Sequence, residues 1–260
     1  MISQDAIKWI GYLATVITLL IASYSDVKRR EVDPRLWIFP SVAGLILIML
    51  RLPIENDLIS YLLIGLISPI IVLALSLMNL IGFADFIAMI VITLLLPKPF
   101  YGETLLPPSL VILLLSNIIY GVSMTPFIIR NIFFSRLILE KCNSLTKSLL
   151  VIITGLPMRS STYISSGYFF PLLYPVRRED GYITWICRTS FDINEDPNTL
   201  KNEIRRLLNE GLINGDEILI VSWGAPYILF LLLGVLLYPL TASMIESFFR
   251  FLILHIAFFH

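Results

Sequence analysis

Histidine and cysteine are almost missing from this chain, and their scarcity removes whole classes of chemistry. The two histidines, His255 and His260, fall at the extreme C-terminus of 260 residues, and no His-Glu-x-x-His motif occurs. A zinc protease and a histidine-activated serine dyad are both poorly supported. The two cysteines, Cys142 and Cys187, are far apart and in no metal-like spacing. Neither a disulfide framework nor a zinc site can be argued from them, and the compartment rule favours two reduced thiols in a cytosolic region. No metal and no cofactor is expected. Charge is sparse too, at 15% of residues, with 19 basic and 19 acidic side chains and a net charge of zero, so nothing in the balance points to nucleic acid. No small-residue cleavage site stands out after the first apolar run, which is expected to be a retained helix.

What remains is apolar. Hydrophobic residues make up 57% of the chain and the mean hydropathy is +0.85, far above a soluble domain. The expected class is an α-helical integral membrane protein. Runs able, or nearly able, to cross a hydrocarbon core of about 30 Å lie at 7–24, 36–50, 58–80, 81–96, 110–129 and 225–242. Six spans are therefore predicted, with kinks at Pro69, Pro126 and Pro239 where neighbouring helices satisfy the freed carbonyls. The loop at 26–35 holds four basic residues and those at 51–57 and 97–108 one each. The positive-inside rule then puts that first loop in the cytoplasm and the N-terminus outside the plasma membrane.

The reading divides the chain into 1–129, five spans; 130–222, a small α+β cytosolic domain; and 223–260, the sixth span with a helical tail. Residues 130–223 hold 11 of the 19 basic and 10 of the 19 acidic residues. Within them a hairpin is predicted from 165–176 and 181–190, a helix over 197–212 with Asn198 as a possible cap, and a strand over 218–223. The amphipathic stretch 131–156 reads as a segment on the membrane surface. The tail 243–260, interrupted by Glu246 and Arg250 at ion-pair spacing, reads as an extension of the sixth helix or an interfacial helix. No internal repeat is evident.

Asp85 is the one acidic residue inside the apolar runs, in Gly82-Phe83-Ala84-Asp85, and a carboxylate at that depth points to function. Asp26 lies where the first run gives out, in Tyr24-Ser25-Asp26-Val27-Lys28-Arg29-Arg30. Threading the spans brings both to one membrane face. Two carboxylates sharing a site cannot both ionise easily, so one keeps a proton while the other takes one from water. This is the working principle of aspartic proteases, and which member is the base stays open. Gly82 and Ala84 let a substrate backbone or a neighbouring helix approach closely.

The run Ser25-Asp26-Val27-Lys28-Arg29-Arg30-Glu31-Val32, followed by Leu36-Trp37, resembles the first catalytic motif of the archaeal preflagellin and prepilin peptidases. Gly82-Phe83-Ala84-Asp85 resembles the Gly-x-Gly-Asp second motif of the wider type IV prepilin peptidase family, with Ala84 in place of the commoner glycine. Trp223-Gly224-Ala225-Pro226-Tyr227-Ile228 is similar to a Gly-x-Pro-aromatic stretch of the archaeal members. Pro34 lies one place later than the proline often seen after the first aspartate. The resemblance implies a membrane aspartic endopeptidase that removes short basic leaders, class III signal peptides, from pilin-like and archaellin precursors. Asp26 and Asp85 would be catalytic, and Gly82, Ala84, Arg30, Gly224 and Pro226 would shape the site. Bacterial relatives carry Cys-x-x-Cys pairs together with a methyltransferase activity. Their absence here implies cleavage without N-methylation.

Two rivals differ in what they require. Presenilin-type proteases also use paired membrane aspartates, but have nine spans and a Pro-Ala-Leu motif absent here. A proton-coupled transporter could use Asp26 and Asp85 as an ion path, although the repeat symmetry common in such carriers is missing. Lys28, Arg29 and Arg30 read most simply as a topology signal, and Tyr24, Asn79 and Asn117 as helix-to-helix hydrogen-bonding groups.

Overall fold

A computed structural model describes residues 4–78, 81–100, 106–167, 169–178, 180–189, 196–224 and 226–258; Asn79, Ala225 and His260 lie outside them. The chain forms two units, one of residues 1–120 with 226–260 and one of residues 121–225.

The first unit is helical. Its elements are α1 (Gln4–Arg29), a 3-10 turn (Pro34–Trp37), α2 (Ile38–Arg51), α3 (Leu58–Gly65), α4 (Ile67–Leu77), α5 (Phe83–Leu95), the first half of α6 (Pro108–Phe133) and, after the second unit, α11 (Tyr227–Phe258). Among the described residues five stretches are long and apolar enough to cross a membrane: Asp5–Arg29, Pro34–Arg51, Leu58–Leu77, Pro108–Phe133 and Tyr227–Phe251. The predicted fourth span is shorter than expected. It is α5, only 13 residues and so about 20 Å long, because the chain on its N-terminal side does not become helical until Gly82 caps it. The tail continues α11 without a break, as one of the two expected forms, and Arg250 pairs with Glu246 at 2.9 Å.

α5 is the centre of this unit. Ala88, Met89, Val91, Ile92 and Leu95 are buried, and α1, α2, α4 and α11 pack around them. Close approach is built in: a Cβ on Gly11 of α1 would lie 2.3 Å from the Leu95 carbonyl oxygen, so only glycine lets α1 cross there. At Pro69 the structure departs from the expected kink, because the helix breaks there. Pro69 cannot donate to Gly65, α3 ends at that residue, and the freed carbonyl accepts from Ser68 Oγ at 2.7 Å and Ser109 Oγ at 3.0 Å. Pro126 and Pro239 stay inside α6 and α11. At the far end from Asp26, the buried Arg51 makes a two-pronged contact with buried Glu55, Nε to Oε1 at 2.9 Å and Nη2 to Oε2 at 3.0 Å, and Lys98 joins through Glu55 Oε2 at 3.8 Å while also pairing with Asp57 at 3.0 Å.

The second unit holds the rest of α6, then α7 (Ser135–Cys142), α8 (Leu145–Thr154), β1 (Leu156–Arg159), α9 (Ser160–Ser165), β2 (Phe169–Arg177), β3 (Ile183–Cys187), α10 (Pro197–Asn209) and β4 (Ile218–Trp223). The strands form one antiparallel sheet in the order β1-β4-β2-β3. The hairpin and the strand at 218–223 form as expected, whereas β1 adds a strand with no clear sequence signal. Alternation along β4 divides the core: Leu219 and Val221 join Ile204 and Leu207 of α10, while Ile220 joins Ile138 of α7 and Val151 of α8. The cap of α10 is Asp196, whose side chain accepts from the Asn198 N–H at 2.9 Å, and not Asn198 itself; Pro197 fills the first helical position and makes the residue before it the cap.

The cysteines are a correction. Cys142 and Cys187 form a disulfide, with Cα atoms 5.1 Å apart, linking the end of α7 to the end of β3. Beside it Lys141 lies over the Trp185 ring and pairs with Glu217 at 3.1 Å.

Candidate active site

Asp26 sits in the last turn of α1 and is half-buried. α1 ends just beyond it: the Arg30 N–H donates to the Asp26 carbonyl at 2.9 Å, and Arg30 takes a left-handed backbone with φ of 58°. A residue with a Cβ adopts that conformation at a cost of about 1–2 kcal/mol. The turn brings the Arg30 guanidinium, with Nε and Nη1 buried, into electrostatic range of the Asp26 carboxylate. A second group faces the same carboxylate, since the backbone N–H of Ile228 hydrogen-bonds to it. Ile228 lies in the first turn of α11, where free amides and the helix dipole favour an anion.

Asp85 is buried at 6% exposure in the first turn of α5. Its own N–H donates to the Gly82 carbonyl at 3.1 Å, and the Gly82 N–H donates back to Oδ2 at 3.0 Å. Gly82 takes the extended conformation of a cap. A Cβ there would lie 3.3 Å from Oδ2, which explains why a glycine precedes this acid. Ala84, in the same turn, is half-buried against the helical core.

The two carboxylates act on one another electrostatically, so remote segments of the chain meet at one place. Tyr227 completes the surroundings: its phenol is in electrostatic range of Asp85 and hydrogen-bonds with the Asn117 side chain. Sequence reasoning did not single out Tyr227 as a site residue, although the Gly-x-Pro-aromatic stretch contains it. The Ile228 amide has no sequence signature at all. Gly224 and Pro226 enter differently, as the link between β4 and α11. The buried Pro226 offers its carbonyl to the Leu229 N–H at 3.0 Å and so opens the helix that carries Ile228.

Among the described residues no cluster of three or more metal-ligating side chains occurs, and the titratable groups gathered here are the two carboxyls, Arg30 and Tyr227. Two family models match the chain. Residues 13–125 match the family described as Type IV leader peptidase family, a stretch that includes both aspartates. Residues 147–241 match a second, described as Archaeal Peptidase A24 C-terminus Type II, a stretch that includes Pro226, Tyr227 and Ile228. No curated protein matches the chain.

Proposed function

The chain belongs to the type IV leader peptidase family, among its archaeal preflagellin and prepilin peptidases, and from that premise we propose that Asp26 and Asp85 are its catalytic pair. It is a multi-pass membrane protease acting on pilin-like and flagellin-like precursors. The observation that carries the aspartic reading is the electrostatic interaction of the two carboxyl groups, Asp26 held by an amide of α11 and Asp85 by the Gly82 amide that caps its own helix.

The neighbours divide the labour. Burial works against charge on both acids; Arg30 and the Ile228 amide offset part of that cost at the half-buried Asp26, whereas Asp85 is the more deeply buried and has one oxygen already engaged by Gly82. Asp26 therefore acts as the base that takes a proton from the attacking water, and Asp85 donates to the peptide carbonyl oxygen. The tetrahedral adduct collapses as the proton held by Asp26 passes to the departing amine and a hydroxyl proton of the adduct returns to Asp85, which restores both acids. Substrates are short basic leaders of the class III type, cut at the cytoplasmic face of the plasma membrane, where the substrate's apolar helix stays in lipid. The N-terminus is external, six segments make up the bundle, and cleavage occurs without N-methylation.

The test is cleavage of a pilin precursor by purified protein in detergent, with the new N-terminus read by mass spectrometry. Asp26→Asn and Asp85→Asn should each lower turnover by about 10²–10⁴-fold, the usual range for a positioned acid or base, with membrane insertion unchanged. Undiminished cleavage by either variant defeats the proposal. Proton flux in liposomes with no cleavage would favour the carrier instead.

A further inference from the structure

α1 carries a second feature on the side turned away from Asp26. A groove of about 570 Å³ runs between the stripe Ile10, Ala14, Ile17 and Ile21 of α1 and the residues Phe39 and Ala43 of α2, with Arg35 its one charged lining residue. A smaller cavity of about 240 Å³ continues it toward Ile46 and Leu47. The walls are apolar, because the one hydroxyl on them, of Thr18, donates to the Ala14 carbonyl at 2.8 Å.

The stripe is also polarised along its length. Its spacing of three and four residues continues past Ile21 to Tyr24 and Lys28, both exposed, with Lys28 Nζ 3.3 Å from the Tyr24 hydroxyl. Asp26 falls roughly half a turn away from it. An apolar trough with Arg35 on its wall, whose α1 stripe runs on to a phenol and a second cation, matches a molecule with an apolar chain and an anionic head. We propose that the α1–α2 groove binds an anionic membrane phospholipid, with one hydrocarbon chain along Ala14 to Ile21 and the phosphate at Arg35 and Lys28.

Two arguments set the precursor's helix aside as the occupant. The groove is on the wrong face of α1 to feed Asp26, and a basic leader would meet cations of its own sign. The volume suits one flexible chain, since ligand pockets span about 300–1,000 Å³. Chain burial brings no preference among lipids, because the bilayer is equally apolar. Selection must come from the head, at about fivefold per cation, which is ~1 kcal/mol for each Lys or Arg near the surface. This inference requires only membrane insertion and stands apart from the catalytic reading.

The experiment uses the full chain in phosphatidylcholine nanodiscs containing phosphatidylglycerol with a diazirine in its acyl chain, or phosphatidylcholine carrying the same chain. After irradiation, adducts are mapped by mass spectrometry. Phosphatidylglycerol should label the 14–21 and 39–43 segments several-fold more than phosphatidylcholine. Arg35→Gln, a surface change, should reduce that preference about fivefold, and Ala43→Phe should remove the adducts by filling the groove. Equal labelling by the two lipids, or a preference untouched by Arg35→Gln, overturns the site. So does displacement of the lipid by a precursor whose own apolar segment crosslinks there.

Discussion

The backbone N–H of Gly82 donates to Oδ2 of Asp85 at 3.0 Å, and a Cβ built on Gly82 would lie 3.3 Å from that same oxygen. The glycine therefore serves both as a donor and as the space that lets the carboxylate fold back over it. Gly82→Ala should force the carboxyl group aside and reduce turnover about tenfold, the size of one displaced hydrogen bond. KM should change little. Wild-type turnover in that variant would show that the contact is only a helix cap.

The disulfide closes a long loop. With a sequence separation of 45 between Cys142 and Cys187, the chain-entropy relation gives a contribution of about 4 kcal/mol. Cys142→Ser should lower the denaturant midpoint of the sheet unit, and non-reducing mass spectrometry should find the linked peptides in the native protein. Free thiols in freshly purified protein would contradict it.

Arg51 and Glu55 are both buried and bound at two points. Removing one partner leaves a charge without its counterion, so Glu55→Leu alone should cost about 3–5 kcal/mol. The double replacement Arg51→Met with Glu55→Leu should recover much of that loss. Thermal unfolding of the three variants in one detergent separates this coupling from simple additivity.

Glu210 ties α10 to β2, accepting from Arg206 Nε and Arg177 Nη1, each at 2.8 Å. The hydrogen bond from Arg206, followed by the two positive charges and the bond from Arg177, holds its carboxyl below the ordinary value of 4.5. A depressed carboxylate gives stability that is present above its unfolded value and lost as the pH falls through the lower folded value. Amide protection in α10 and β2 should therefore weaken below about pH 4.5. In Glu210→Gln the acid-dependent part of that loss should disappear, leaving a flatter profile.

Much of the site was legible because its chemistry depends on unusual residues. An acid in an apolar run, preceded by glycine and alanine, stands out wherever the chain folds, as does an acid at a basic helix end. The Ile228 amide was invisible because every residue has one, and only the packing of α11 against α1 brings it to Asp26. The disulfide was missed for a related reason: contact between α7 and β3 is a property of the sheet's order, and a compartment rule took its place. β1 escaped because four residues with a proline carry no alternating pattern, and its partner β4 supplies the register. The length of α5 was misjudged because hydropathy records apolar residues without recording where helical hydrogen bonding begins.

That shortness has a consequence for hydrolysis. Helical backbone satisfies its own polar groups, but chain that leaves the helix inside a bilayer survives only where protein or water lines its path. α5 falls about 10 Å short of a hydrocarbon thickness of about 30 Å, a mismatch that a protein-walled, wetted recess or a locally thinned bilayer can absorb. Asp85 lies in the first turn of that short helix. If it is the acid proposed above, either arrangement gives the attacking water a route to it that does not cross lipid.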